Sequence, residues 1–120
     1  MKYMLLIYLD EALHLETPQS EQDGFVNAMI DQDDRLRASG HYVTSDALMA
    51  PSEAATVRVR EGKLAVTDGP FIETKEHLSG FYIIEARDLN EAIRLAAEIP
   101  LATVGSVEVR PVDKLERIEQ

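Results

Sequence analysis

The spacing of apolar positions changes several times along the chain, and each change predicts a different element. Tyr3–Leu9 is a continuous apolar run that ends at Asp10, which is typical of a strand buried on both faces. Between Ser20 and Ser39 apolar residues recur every three or four positions, which predicts a helix that ends at the C-cap Gly40. The apolar stripe of this helix consists of Phe25, Val26, Met29, Ile30 and Leu36.

Two short runs in the middle of the chain predict a β-hairpin. Thr56–Arg60 alternates between valine and arginine, so one face is apolar and the other is basic. Glu61-Gly62 forms a tight turn, and Lys63–Thr67 returns the chain. We expect the apolar side chains of the second run, Leu64 and Val66, to point inward.

The remaining segments complete a mixed α+β order. His41–Ala50 begins as a strand, and Gly80–Ala86 and Val104–Arg110 are predicted to be strands. Asp88-Leu89-Asn90-Glu91 is a helix start signal, because an aspartate can cap the first turn while the glutamate follows three positions later. Pro100 is expected to end that second helix.

This order predicts one domain over residues 1–120, an α+β split βαβ sandwich with an inserted hairpin. Both helices would then cover one face of the sheet, and the other apolar face would lack a cover. An uncovered apolar face of this size predicts an interface, and a symmetric homodimer is the commonest way to form one. The polar segment Asp10–Gln19, which carries His14, is expected to be a loop.

Val66–Gly80 joins the hairpin to the strand that follows it and carries a dense set of chemically able side chains. Pro70 cannot continue a ladder of strand hydrogen bonds, and Gly69 can adopt a left-handed conformation without strain. The carboxylate of Asp68 is expected to accept hydrogen bonds from N–H groups just downstream. Phe71 is expected to anchor the loop by burying its ring.

Two interpretations of this stretch stay open. In the structural one, Asp68 caps the loop while Lys75 pairs with Glu73 or Glu76 in solvent. In the functional one, a rigid loop presents these side chains and His77 to a cleft, as functional loops often do. Asp68 and His77 are then candidate catalytic residues, and the candidate ligand-binding residues are Asp68, Gly69, Pro70, Phe71, Lys75 and Glu76.

Asp33 interrupts the apolar stripe of the first long helix, because it lies three positions after Ile30 and four after Met29. Such a carboxylate lies at the edge of the packed strip, is paired, or faces a cavity. Arg37 would be an i,i+4 partner in the paired alternative. An unpaired, buried carboxylate could instead serve as an acid or base, so Asp33 is the third candidate catalytic residue.

Composition narrows the classes of partner. The net charge of −10 argues against nucleic acid and anionic membrane surfaces, since both attract basic proteins. The chain has no cysteine, which excludes disulfides and zinc–thiolate sites, and its three histidines have no metal-binding spacing. We therefore expect no metal and no cofactor. The apolar run Met4–Leu9 is far shorter than a membrane span and lacks a cleavage signal, so we expect a cytoplasmic protein.

Several motifs resemble those of the YCII-related family, in its DGPF branch. The resemblance lies in Met1–Tyr8, Thr56–Arg60, Asp68-Gly69-Pro70-Phe71, Glu73–Glu76, Gly80–Tyr82 and Gly105–Pro111. It implies a ferredoxin-like βαββαβ unit that pairs into a dimeric α/β barrel. It implies little about activity, because most of the family has no assigned function.

The resemblance also bears on the candidate chemistry. A histidine on the first helix, together with an aspartate, has been suggested as a catalytic pair in the YCII group. The predicted first helix, Ser20–Ser39, contains no histidine, which moves any acid–base role to Asp33, Asp68 or His77. The genomic setting of DGPF-type members resembles that of accessories to sigma factors of the extracytoplasmic-function class.

Three functional hypotheses follow. The first is a small-molecule-binding or regulatory dimer that engages a ligand or another protein. The second is an acid–base enzyme without a cofactor, acting on a small organic substrate with Asp68 or Asp33 as base and Lys75 or His77 assisting. The third is structural, with the Asp68–Gly80 signature serving as a clamp that the dimer needs.

Overall fold

The computed structural model describes residues 1–119, which form six strands and three α-helices. In chain order these are β1 (Lys2–Asp10), α1 (Glu11–Glu16), α2 (Gln19–Ala38), β2 (Tyr42–Ala47), β3 (Ala55–Arg60), β4 (Lys63–Asp68), β5 (Glu76–Glu85), α3 (Leu89–Ala97) and β6 (Ser106–Pro111). Two short 3₁₀ turns lie at Pro51–Glu53 and Pro100–Thr103. The protein is thus of the α+β class, as the sequence predicts.

Four strands form an antiparallel sheet in the order β2-β5-β1-β6. The two inner strands, β1 and β5, pair from Lys2 opposite Glu85 to Asp10 opposite Glu76, with one irregularity after Ile7. The apolar run at the start of the chain therefore lies at the centre of the sheet, where a strand is covered on both edges. Strands β3 and β4 form a separate two-stranded sheet.

Helices α2 and α3 pack on one face of the four-stranded sheet. Alternate residues of β1 point to that face, because successive side chains of a strand lie on opposite sides. The start of α3 is capped as predicted, since the Asp88 carboxylate accepts a hydrogen bond from the Glu91 N–H at 2.9 Å. The buried core consists of Tyr3, Leu5, Ile7, Leu36, Tyr82, Ile84, Ala86, Ala92, Leu95, Ala96 and Ile99.

The opposite face of the sheet carries the strand residues that alternate with the core residues. Met4 and Leu6 of β1 and Ile83 of β5 point to this side and are half-buried. The helices of the described chain pack on the other side of the sheet. An apolar surface is thus left facing solvent in the single chain.

The segment predicted as a loop after β1 is instead a six-residue helix, α1. The Asp10 carboxylate caps it by accepting a hydrogen bond from the Ala12 N–H at 3.0 Å. At the other end, the Thr17 hydroxyl donates to the Leu13 carbonyl at 2.8 Å. Short helices are weakly marked in sequence, because one and a half turns leave little room for an amphipathic pattern.

The predicted inward packing of the hairpin is wrong. Val57, Val59, Leu64 and Val66 are each between 59% and 68% exposed. Strands β3 and β4 pair only with each other, and the radius of gyration is 16.9 Å, against about 14 Å for a compact chain of this length. The hairpin therefore stands away from the main sheet with its apolar face uncovered.

No helix within residues 1–119 combines the length and the apolarity that a membrane crossing requires.

Candidate functional site

A cavity of about 680 Å³ lies between helices α1 and α2 and one end of the four-stranded sheet. Its floor comes from β1, β2 and β5, and residues of the last 3₁₀ turn complete it. Most of its wall is apolar. The lining includes Asp10, Leu13, His14, Glu21, Phe25, Val26, Met29, Ile30, Asp33, Asp46, Tyr82 and Leu101.

The residues of the apolar stripe of α2 lie in two different environments. Leu36, in the C-terminal half of the helix, is buried in the core. The other four residues of the stripe line the cavity, and two of them, Val26 and Ile30, are 57% and 54% exposed. The stripe predicted from sequence is therefore present, but four of its five residues line an opening.

Asp33 lies at the bottom of this opening beside Tyr82. The Tyr82 hydroxyl donates a hydrogen bond to Asp33 Oδ1, and Tyr82 itself is only 2% exposed. Burial, followed by the hydrogen bond and the negative charge of Asp33, raises the pKa of Tyr82 well above its ordinary value. The hydroxyl consequently stays protonated near neutral pH and holds the carboxylate in place.

The expected alternative partner of Asp33 is engaged elsewhere. Arg37 forms an ion pair with Asp34 at 3.3 Å, and its guanidinium lies 4.3 Å from the centre of the Tyr42 ring. Within residues 1–119, Asp33 forms no salt bridge. Of the three alternatives that the sequence left open for Asp33, the structure has the one that faces a cavity.

His14 is the second titratable residue brought to this cavity, and sequence analysis missed it as a site residue. It lies on α1, so the first helix of the chain does contain a histidine. The helix predicted at Ser20–Ser39, which is observed as α2, contains no histidine, as expected, and α1 adds one before it. The available signal was Asp10 followed by Glu11-Ala12, an N-cap before good helix formers.

The Asp68 loop lies apart from this cavity. The loop is held by backbone contacts: the Gly69 N–H donates to the Ala54 carbonyl at 2.7 Å, and the Thr56 hydroxyl donates to the Gly69 carbonyl at 2.9 Å. Gly69 has φ +96°, the conformation expected of glycine in this turn. The exposed carboxylate of Asp68 forms none of the predicted hydrogen bonds within the described chain.

Phe71 does not anchor the loop by burial, because it is 67% exposed. Its ring instead contacts the hairpin, with the Arg58 guanidinium 5.1 Å from the ring centre. This cation–π contact ties the loop to β3. The predicted burial of Phe71 is therefore wrong.

The other candidates from the same stretch lie at the start of β5. Glu76 Oε1 accepts a hydrogen bond from the Ser106 hydroxyl at 2.8 Å, which links β5 to β6 across the end of the sheet. His77 is half-buried opposite Leu9, and Lys75 is exposed. None of the three contributes to the cavity lining. The structure thus places Asp33 in one location and the Asp68 and His77 candidates in others.

Most of the titratable residues in the cavity lining are acidic. Its titratable lining groups are Asp10, Glu21, Asp33, Asp46, Tyr82 and His14, whereas no lysine or arginine belongs to the lining in the described chain. Across residues 1–119, no three histidine, aspartate or glutamate side chains are grouped so that they could hold a metal ion. The cavity can hold a largely apolar molecule, and its carboxylates can accept hydrogen bonds from a polar group on that molecule.

These observations define the class of the protein, which is an α+β domain with a mostly apolar cavity between its helices and its sheet. The model of the YCII-related domain matches residues 1–116. The chain is also 34% identical, over 114 residues, to an uncharacterized protein of Rhizobium meliloti (strain 1021), covering 93% of this chain and 92% of that protein. The chain belongs to the YCII-related family.

Proposed function

We propose that this protein is a small-molecule-binding homodimer with a regulatory role, and that the cavity beneath α1 and α2 is its ligand site. The observation that carries this proposal is the hydrogen-bonded pair of half-buried Asp33 and buried Tyr82 in the lining of a mostly apolar cavity of about 680 Å³. Ligand sites are typically concave, mostly apolar and supplied with a few fixed polar groups, within a volume range that includes this one.

The strand order supports the ferredoxin-like topology that the resemblance implies. The order β2-β5-β1-β6, with helices on one face, supports a ferredoxin-like unit into which the β3–β4 hairpin is inserted. The uncovered face that contains Met4, Leu6 and Ile83 supports pairing of two such sheets into an α/β barrel, as the resemblance to the DGPF branch implies. The four exposed apolar residues of the hairpin add to the surface that a second copy can cover.

An acid–base enzyme without a cofactor is the second candidate function. It is favoured by one specific observation, which is that His14 of the first helix and Asp33 line the same cavity. Asp33 would take a proton from the substrate, while Tyr82 stabilises the carboxylate through its hydroxyl. His14 would donate a separate proton to the product, and exchange with solvent would then restore both groups. Asp68 and His77 remain predicted catalytic candidates, and both lie outside this cavity.

Ligand binding at the cavity is tested with a variant whose larger side chain fills the opening. Ile30 lines the cavity on the exposed side of α2, so Ile30→Trp places a large ring in the opening without removing a core residue. Ile93→Trp is the matched control, because Ile93 is a comparably exposed helical isoleucine, at 49%, that does not line the cavity. A library of small organic compounds is screened for thermal stabilisation of the three proteins.

The proposal expects compounds that stabilise the wild type and Ile93→Trp but not Ile30→Trp. Compounds that stabilise all three equally would bind elsewhere and would contradict the cavity as the site. Incubation of a stabilising compound with wild type and Asp33→Asn separates the two functions. Conversion by the wild type alone would favour the enzyme, whereas an unchanged compound would favour the binding protein.

A further inference from the structure

We infer that the ligand of this cavity is an apolar organic cation, such as an amine with an aromatic or aliphatic body, rather than a carboxylate or phosphate. The inference rests on the proposed function, because it takes the cavity to be a ligand site and assigns the chemical class. Three features of the lining support it: the negative sign of its charges, the oxygen of the Asp33 carboxylate that forms no hydrogen bond within residues 1–119, and the apolar side chains of the wall.

Four carboxylates contribute to the lining, at Asp10, Glu21, Asp33 and Asp46. Of the lining residues, only His14 can become cationic, and it is exposed. A cavity with charges of one sign and apolar walls concentrates ligands of the opposite sign and repels like charges. An anionic ligand would meet these carboxylates in the cavity and, within residues 1–119, no lysine or arginine in its lining.

Arg37, one turn after Asp33 on α2, partly opposes the rise in the pKa of Tyr82, but it does not belong to the cavity lining. Its guanidinium is paired with Asp34 at 3.3 Å and stacked on the Tyr42 ring, outside the lining. The hairpin arginines, Arg58 and Arg60, lie on the separate two-stranded sheet. The negative sign of the lining matches the net charge of −10 of the whole chain.

Asp33 is the carboxylate best placed to receive the cationic group. It is half-buried, and its Oδ1 accepts the Tyr82 hydroxyl. Its Oδ2 forms no hydrogen bond within residues 1–119. A partly desolvated carboxylate with one free oxygen gains most from a charged donor, because charge-assisted hydrogen bonds are stronger than neutral ones.

The wall around Asp33 suits the body of such a ligand. Leu13 of α1, Phe25 and Met29 of α2, and Leu101 present apolar atoms to the opening. An aromatic ring such as that of Phe25 also attracts a cation through its π face. An amine whose head group reaches Asp33 would therefore leave its apolar part against apolar residues.

The test compares three probes that share one body and differ in the head group: 4-phenylbutylamine, 4-phenylbutanol and 4-phenylbutyric acid. Their dissociation constants are measured by calorimetry at neutral pH for the wild type, Asp33→Asn and Asp31→Asn. Asp31 is the matched control, because it is an exposed carboxylate of α2 that lies outside the lining and loses the same charge.

We expect the amine to bind the wild type at least about tenfold more tightly than the alcohol, and the acid to bind most weakly. Asp33→Asn should weaken amine binding by about tenfold and leave alcohol binding unchanged, whereas Asp31→Asn should leave both unchanged. If the alcohol or the acid binds as tightly as the amine, or if Asp33→Asn does not weaken the amine, the cation assignment is overturned while the cavity stays a ligand site. If none of the probes binds the wild type, both the assignment and the proposed function are overturned.

Discussion

The Tyr82 hydroxyl donates a hydrogen bond to the Asp33 carboxylate, which joins β5 to α2 between residues 49 positions apart. The pair lies where the packed core gives way to the cavity, so it contributes to both stability and the candidate site. Tyr82 supplies a buried ring to the core and a polar tip to the opening.

Tyr82→Phe should lower the free energy of unfolding by about 2 kcal/mol, because it removes a hydrogen bond to a charged group while keeping the buried ring. Urea denaturation measures this change. Tyr42→Phe is the matched control, since within residues 1–119 the Tyr42 hydroxyl hydrogen-bonds to the neutral Ser45 hydroxyl, at 2.7 Å, and to no charged group. Its loss should cost about 1 kcal/mol or less. An equal or larger loss in the Tyr42 variant would contradict a special role of the Asp33–Tyr82 pair.

The raised pKa of Tyr82 predicts a loss of stability in alkali. The unfolded chain releases the tyrosine proton near its ordinary pKa of about 10, whereas the folded chain keeps it to higher pH. The stability from this group is therefore complete below about pH 10 and is lost as pH rises from there toward the folded pKa.

The stability of Tyr82→Phe should consequently fall less steeply between about pH 10 and 11 than that of the wild type. Urea midpoints measured at several pH values test this difference in slope. Parallel curves for the two proteins would show that Tyr82 titrates normally in the folded state.

Gly105→Ala should destabilise the fold by about 1–3 kcal/mol. A Cβ at Gly105 would lie 2.2 Å from the Tyr8 carbonyl oxygen and 2.6 Å from Leu9 Cδ2, so β6 could not keep its distance from β1. Gly24→Ala is the control: its Cβ meets nothing within 4 Å, and alanine in a helix should add about 0.5–1 kcal/mol. Thermal or urea unfolding measures both variants, and equal effects would contradict the close approach at Gly105.

Leu6→Lys should dissociate the proposed dimer, because it places a charge in the middle of the uncovered sheet face. Leu89→Lys is the control, as Leu89 is 46% exposed at the start of α3, on the other side of the sheet. Light scattering should give twice the chain mass for the wild type and Leu89→Lys, and one chain mass for Leu6→Lys. A monomeric wild type, or a dimeric Leu6→Lys, would contradict pairing through this face.

Much of the fold could be predicted because its signals are local. The helix predicted at Ser20–Ser39 is observed at Gln19–Ala38, and the β-hairpin and the Asp88 cap lie where spacing and capping residues place them. The exposure of the hairpin could not be predicted. Alternation identifies an apolar face, but it does not say what covers that face.

The candidate site was predictable only in part. Asp33 could be found because it breaks an apolar stripe, which is visible along a single helix. Its partner Tyr82 lies on a distant strand, and the contact depends on how α2 crosses the sheet. His14 was missed because α1 is too short to leave a clear periodic pattern.

The most direct test of the ligand site is to map backbone amide chemical shifts while titrating the compound that stabilises the wild type most. The proposal expects the shifts to change in α1, in the N-terminal half of α2 and at residues 79–82, where the cavity lining lies. Changes confined to residues 68–71 and 75–77 would contradict the cavity and place the ligand at the Asp68 loop and the start of β5 instead.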